Sequence, residues 1–182
     1  HPDDRAELVR QAKEAKMIYA DQIYFPDSGY LYPDRVTCSH KFKNNLQILF
    51  RAIKPSDEDE MRRLFYRFSD RAVYYRYFSP IKTMPHKKMQ EYVNIDYLSI
   101  MSIVAVIQES GVEKIIGEAR YAHFKDIPDA DTAFIVDESY QSMGIASYLF
   151  DLLIRVAREE GISGFSADVL ADNKAMLKVY EK

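Results

Sequence analysis

The run Phe134-Ile-Val-Asp-Glu-Ser-Tyr-Gln-Ser-Met-Gly-Ile-Ala-Ser-Tyr-Leu-Phe150 constrains this chain more than any other stretch. Phe134 to Val136 reads as the end of an apolar strand. A short polar turn follows. A helix then starts near Gly144, with Ile145, Leu149, Leu152, Leu153 and Val156 at helical spacing and a stop at Gly161. Gln141-x-x-Gly144-x-Ala146 sits on the turn. Small residues there let backbone N–H groups come close to a ligand, and the helix start adds the positive end of a dipole. That chemistry suits a phosphate or pyrophosphate. The same pattern also arises where small residues only pack.

The flanking elements come in a regular order. A helix over 3–19 opens the chain. An irregular stretch with prolines and aromatics follows, Ile23 to Asp34, and then a linker over 35–45. The spacing predicts strands at 46–53, 100–107, 113–124, 130–136 and 164–170. It predicts helices from Pro55, with Met61, Leu64, Phe65 and Phe68 as the apolar stripe, and over 86–95. Gly111 marks the turn between the second and third strands, and Asp172 caps a last helix that runs to the end of the chain. Strands in a meander, with helices at either end, predict an α/β (α+β) fold with a mixed central sheet. The expected division is 1–44, helix and linker, and 45–182, one catalytic-type domain.

Composition narrows the function. With 25 Lys and Arg against 28 Asp and Glu, the net charge of −3 does not suggest a nucleic-acid partner, which would usually need a basic face. No apolar run approaches the ~20 residues a membrane span needs. A single cysteine, Cys38, excludes an internal disulfide framework and fits a reducing, cytoplasmic setting. His40, His86 and His123 show no metal-ligand spacing, so no metal is expected. The chain starts at His1 and stops at Lys182 inside a helical pattern, which reads as a fragment of something longer.

Gln141-x-x-Gly144-x-Ala146 resembles the pyrophosphate loop of the GNAT superfamily of acetyl-CoA-dependent N-acyltransferases. Asn173 with Tyr180 seven residues on resembles that family's final helix. The runs Ser69 to Pro80, Val93 to Tyr97 and Gly117 to Tyr121 look like the GNAT domain of bacterial protein lysine acetyltransferases. The resemblance spans 46–182. It implies a GNAT fold whose fourth and fifth strands (130–136 and 164–170) splay apart. The first thirteen residues are similar to the extreme C-terminus of acetyl-CoA hydrolase/CoA-transferase proteins, implying a fused CoA-transferase-like module ahead of the domain. Three departures stand out. The loop Gln141-Ser-Met-Gly144 has no Arg or Lys. The position of the family's activating Glu is held by Asp131. The chain also ends before the last two strands of the fold.

The resemblance implies direct transfer of acetyl from acetyl-CoA to an amine in a ternary complex, the favoured acceptor being a lysine of a protein ahead of a small-molecule amine. The alternative is a low-turnover acyl-CoA sensor that gates the fused module. A carboxylate near the thioester must take the proton of the amine, and Asp131 is the candidate, with Glu118 as its rival. Both can also be plain strand residues. Backbone N–H groups of Phe134, Ile135 and Val136 are the expected donors to the oxyanion and the partners of an extended pantetheine. Gln141, Ser142, Met143, Gly144, Ile145 and Ala146 would hold the pyrophosphate, and Asn173 the pantetheine arm. Tyr180 would protonate the leaving thiolate. Tyr74, Tyr75, Tyr77 and Phe78 are expected to build core beside the acceptor groove rather than to touch the substrate.

Overall fold

The computed structural model describes residues 4–24, 32–124 and 127–181. Residues 25–31 of the proline- and aromatic-rich stretch lie outside the described residues, as do the two ends of the expected first and last helices.

Six strands form one sheet in the order β1 to β6: Cys38–Lys41, Gln47–Ala52, Ile100–Glu109, Val112–Ala122, Asp129–Val136 and Gly164–Ser166. Every neighbouring pair is antiparallel except β5 and β6, which run parallel. The helices are α1 (Arg5–Glu14), α2 (Glu58–Arg67), α3 (Asp70–Tyr77), α4 (His86–Val93), α5 (Ile145–Glu159) and α6 (Lys174–Tyr180). This is the mixed sheet with a helical N-terminal segment that the sequence implies.

Period-two alternation sends β3 to two cores at once. Met101, Ile103, Ala105 and Ile107 pack with Leu149, Leu152, Leu153 and Val156 of α5. Val104 and Val106 face the other way, toward Met61, Leu64 and Phe65 of α2 and Met89 and Val93 of α4. A register shift at Ala105/Val106 skips Ile116, a bulge that curls the sheet. Gly117 lies beside it. A Cβ there would stand 3.1 Å from the Ile135 carbonyl and 3.3 Å from Val136, so β4 and β5 close up only around glycine.

Four local expectations change. The segment expected as linker carries strand β1, and Val36 is fully buried in the core, because Cys38–Lys41 pairs with β2 at its open edge. The tyrosine-dense stretch at 70–78 is a helix, capped by the Ser69 hydroxyl on the Ala72 N–H. The last helix is capped by Asn173, not Asp172, through its Oδ1 and the Met176 N–H at 3.2 Å. Strand β6 stops at Ser166 rather than continuing to 170.

Candidate active site

Strands β5 and β6 pair only from Asp129/Gly164 to Asp131/Ser166. Beyond that point β5 continues to Val136 along β4 alone, so the sheet opens between the two parallel strands. A cleft of about 1030 Å³ fills the opening. Its walls are β5, the turn into α5, α3 and α6, and Asp131 stands at its apex.

The ladder decides which backbone groups face the gap. In an antiparallel pair the N–H and C=O of alternate residues turn to opposite sides. The Asp137 N–H donates to Ile116 on β4, so Ile135 and Ala133 also face β4. Thr132, Phe134 and Val136 then face the cleft. Two side-chain bonds agree: the Gln141 amide donates to the Val136 carbonyl at 3.0 Å, and the Tyr180 hydroxyl lies 3.4 Å from the Thr132 carbonyl. Of the three backbone candidates named from sequence, Phe134 and Val136 therefore present groups to the cleft. Ile135 spends its own on the sheet, a distinction set by register.

The turn after β5 is tied down from both sides. The Asp137 carboxylate accepts from Arg67 Nε (2.8 Å) and from the Ser139 N–H (3.0 Å), and Glu138 accepts from the N–H and hydroxyl of Ser69 (both 2.9 Å). Gly144 caps α5 at φ +90, a conformation that a side chain makes costly, and Ser142 is also left-handed at φ +59. Four N–H groups at a helix start have no intrahelical partner, and the first turn of α5 holds no acid to compete for them. Gln141, Ser142, Gly144, Ile145 and Ala146 all line the cleft. Met143 does not; it is half-buried against the core. Gln141 acts as a fastening for the strand end, not as a free donor.

The uncharged loop is not the only part of the cleft that could meet an anion. Arg71, Lys174 and Lys178 line the same cleft from α3 and α6. Sequence reasoning missed them because they come from elements far away in the chain, and a loop motif reports only its own residues. Arg71 Nε donates to the Tyr75 hydroxyl (2.8 Å), which donates to Asp172 (2.9 Å), so α3 is linked to the start of α6 across the cleft.

The catalytic candidates separate. Asp131 is exposed at the apex. Tyr180 is the last residue of α6, seven positions and about two turns after Asn173, so both face the cleft. Its hydroxyl lies 3.0 Å from Thr132 Oγ1, and its ring meets Phe134 and Phe150 with centroids 5.6 and 5.2 Å apart. Burial pushes its phenol up to about 12. Glu118 is not on the cleft. It is fully buried and accepts from Ser102 Oγ (2.6 Å), Tyr92 hydroxyl (2.8 Å) and Arg120 Nε (2.6 Å). Burial alone would raise its pKa, but Arg120 and Arg76 outweigh that and hold it below the ordinary carboxylate value. Enclosed in this way, the carboxylate presents no open surface to the cleft. Tyr75, Tyr77 and Phe78 line the cleft rather than only building core, and Phe78 is largely exposed.

The sequence pattern of the acetyltransferase (GNAT) family matches residues 58–182. An acetyltransferase of Pseudomonas aeruginosa is 28% identical over 129 residues, 71% of this chain and 69% of its own length. The acetyltransferase Pat of Mycolicibacterium smegmatis is 32% identical over 134 residues, 72% of this chain; the match spans 39% of the length of Pat. The crystal structure of the GNAT domain of S. lividans PAT superposes with a TM-score of 0.75 at 27% identity, covering 83% of this chain and 88% of that one. The open parallel pair, the glycine-capped turn and this match over more than half its length agree: the chain belongs to the GNAT family of acetyltransferases.

Proposed function

We propose that the domain transfers acetyl from acetyl-CoA directly to an amine, and that the amine is a lysine of a protein. The observation that carries this reading is the cleft itself: a strand edge left open beside a glycine-capped helix start. The pyrophosphate would lie on the N–H groups of Ser142, Gly144, Ile145 and Ala146, with Lys174, Lys178 and Arg71 supplying charge. The pantetheine would run along β5 as an added strand, paired to the backbone of Phe134 and Val136. Its length fits, since Thr132 to Val136 spans about 13 Å at ~3.3 Å per residue.

At the apex the amine nitrogen attacks the thioester carbonyl, forming C–N and breaking C–S. The Phe134 N–H, which faces the cleft, would stabilise the oxyanion. A lysine amine, ordinarily near ~10.4, must first lose a proton, and Asp131 takes it through a water because its side chain is one methylene shorter than the family's Glu. As the tetrahedral intermediate collapses, Tyr180 gives its proton to the thiolate and is reprotonated, through water, by the proton the nitrogen sheds in becoming an amide. Protein lysine as acceptor is supported by the likeness to relatives named Pat. A preceding CoA-transferase-like module belongs to the same proposal; its support is the resemblance of residues 1–13. The uncharged loop and the shortened carboxylate at Asp131 both favour a sensor without turnover; the cations on α3 and α6 answer the first of these.

The test is acetylation of a lysine peptide followed against pH. Asp131→Asn keeps size and polarity, so acetyl-CoA binding should hold while the rate at neutral pH falls by about tenfold or more. Asp131→Glu should match wild type or exceed it. An Asn variant as active as wild type across the pH range removes Asp131 as the base.

A second expectation concerns the turn. A Cβ at Gly144 meets no atom within 4 Å, so Gly144→Glu acts through the left-handed strain and through the side chain it places before the anion. Acetyl-CoA affinity measured by calorimetry should fall at least about tenfold, ~1.4 kcal/mol. Unchanged affinity in a folded variant would remove the pyrophosphate from this turn.

A further inference from the structure

A part-buried charge in the wall of the cleft is left over. Glu118 and Arg120 of β4 form one ion pair, Nε to Oε1 at 2.6 Å, and Arg120 Nη2 also donates to the Tyr92 carbonyl at 3.0 Å. Arg76 of α3 meets the same cluster at hydrogen-bond distance through a neutral group, its Nη2 donating to the Tyr92 hydroxyl at 3.0 Å; it also lies over the Tyr77 ring, 5.1 Å from the centroid, and feels Glu118 at longer range. Its Nε is buried and has no hydrogen-bond partner. Among the described residues no carboxylate forms an ion pair with Arg76. Two guanidinium groups thus share one carboxylate, and the unshared charge belongs to a residue in the wall of the cleft. Arg76 lines the cleft from α3 beside Tyr75 and Tyr77, and its charge acts electrostatically on the phenol of Tyr180, which lines the same cleft. Asp131 lines the same cleft but stays exposed and forms no ion pair with it.

A part-buried guanidinium that no carboxylate meets at contact distance is stabilised by an anion in the cleft, and its planar form matches a carboxylate. We propose that this part of the cleft is a carboxylate site, in which Arg76 receives a free carboxylate carried by one of the two reactants, on the acyl chain of the thioester or beside the reacting amine. The proposal rests on the acyl-CoA reading above. The phosphates of CoA do not meet this need, because that reading seats them at the glycine-capped turn with Lys174, Lys178 and Arg71.

Isosteric ligands separate the sources. Succinyl-CoA and butyryl-CoA have acyl chains of equal length, one with a carboxylate and one without; lysine peptides with Asp or Asn next to the lysine make the same contrast on the acceptor. Calorimetry reads the first pair, and kcat/KM with acetyl-CoA reads the second. In wild type, one pair should differ by about tenfold or more in favour of the carboxylate. Arg76→Gln leaves Glu118 and Arg120 balanced and should shrink that ratio to about twofold or less, while Arg76→Lys keeps part of it. No preference in either pair, or a preference that persists in folded Arg76→Gln, overturns the site. If the Gln variant does not fold, the wild-type ratios and the Lys variant decide. Free CoA is titrated alongside: binding without any carboxylate preference removes only this site, whereas no binding of CoA removes the acyl-CoA reading with it.

Discussion

Glu118→Ala should lower the stability of the domain by about 3–5 kcal/mol, because it leaves Arg120 and Arg76 facing each other in the interior without an anion. Glu118 is fully buried and takes three hydrogen bonds, so removal also strands the Ser102 and Tyr92 hydroxyls. Urea unfolding reads the loss as a lower midpoint at unchanged slope. The same carboxylate gives the fold an acid limit. Its folded pKa is held below the ordinary value, about 4.3 for Glu, so the stabilisation is fully present above that value and is lost as pH falls through the folded value. Wild type should therefore lose stability on acidification from pH 5 more steeply than Glu118→Gln does. A Glu118→Ala domain within about 1 kcal/mol of wild type would mean that the cluster rearranges freely, and Arg76 would then lose its fixed place in the cleft wall.

The Glu118 case also marks where sequence reading stops. Strand identity was legible, since Ile100–Glu109 and Val112–Ala122 carry long β-branched runs and a turn at Gly111. The strand–turn–helix at 134–150 was legible because one short segment holds the apolar run, the glycine and the helical stripe. What the sequence hid was pairing between distant residues. Glu118 looks like an exposed strand position until Arg120, Tyr92 and Ser102 close over it from β4, α4 and β3. Cys38–Lys41 has four residues and mostly exposed side chains, too weak a pattern to read as a strand, yet the β2 edge recruits it. The direction of the Ile135 backbone depends on one residue of register with β4, which only the folded sheet defines. The cations of the cleft, likewise, sit on α3 and α6, a hundred residues apart in the chain.

Tyr180→Phe should reduce turnover by about 10²-fold and leave acetyl-CoA affinity nearly unchanged. The substitution isolates the hydroxyl, because the ring contacts with Phe134 and Phe150 survive in phenylalanine. The hydroxyl is held at the apex by Thr132, whose Oγ1 also donates to the Ser166 carbonyl at 3.2 Å and so ties the phenol to the point where β5 and β6 part. With its pKa pushed up to about 12, the phenol keeps its proton throughout the working range and can give it to a thiolate as C–S breaks. It follows that the alkaline side of the wild-type pH–rate profile should show no loss from Tyr180 below about pH 11. Thr132→Val, which frees the phenol without removing it, should cost less than Tyr180→Phe, on the order of tenfold. The competing role is packing alone, and it predicts a different set of results: an unchanged rate in Tyr180→Phe, or a rate that falls only in proportion to lost stability and affinity. A full rate in a folded Tyr180→Phe domain would transfer the leaving-group proton to water and leave Thr132 and Tyr180 as the hinge pin of the splayed strands.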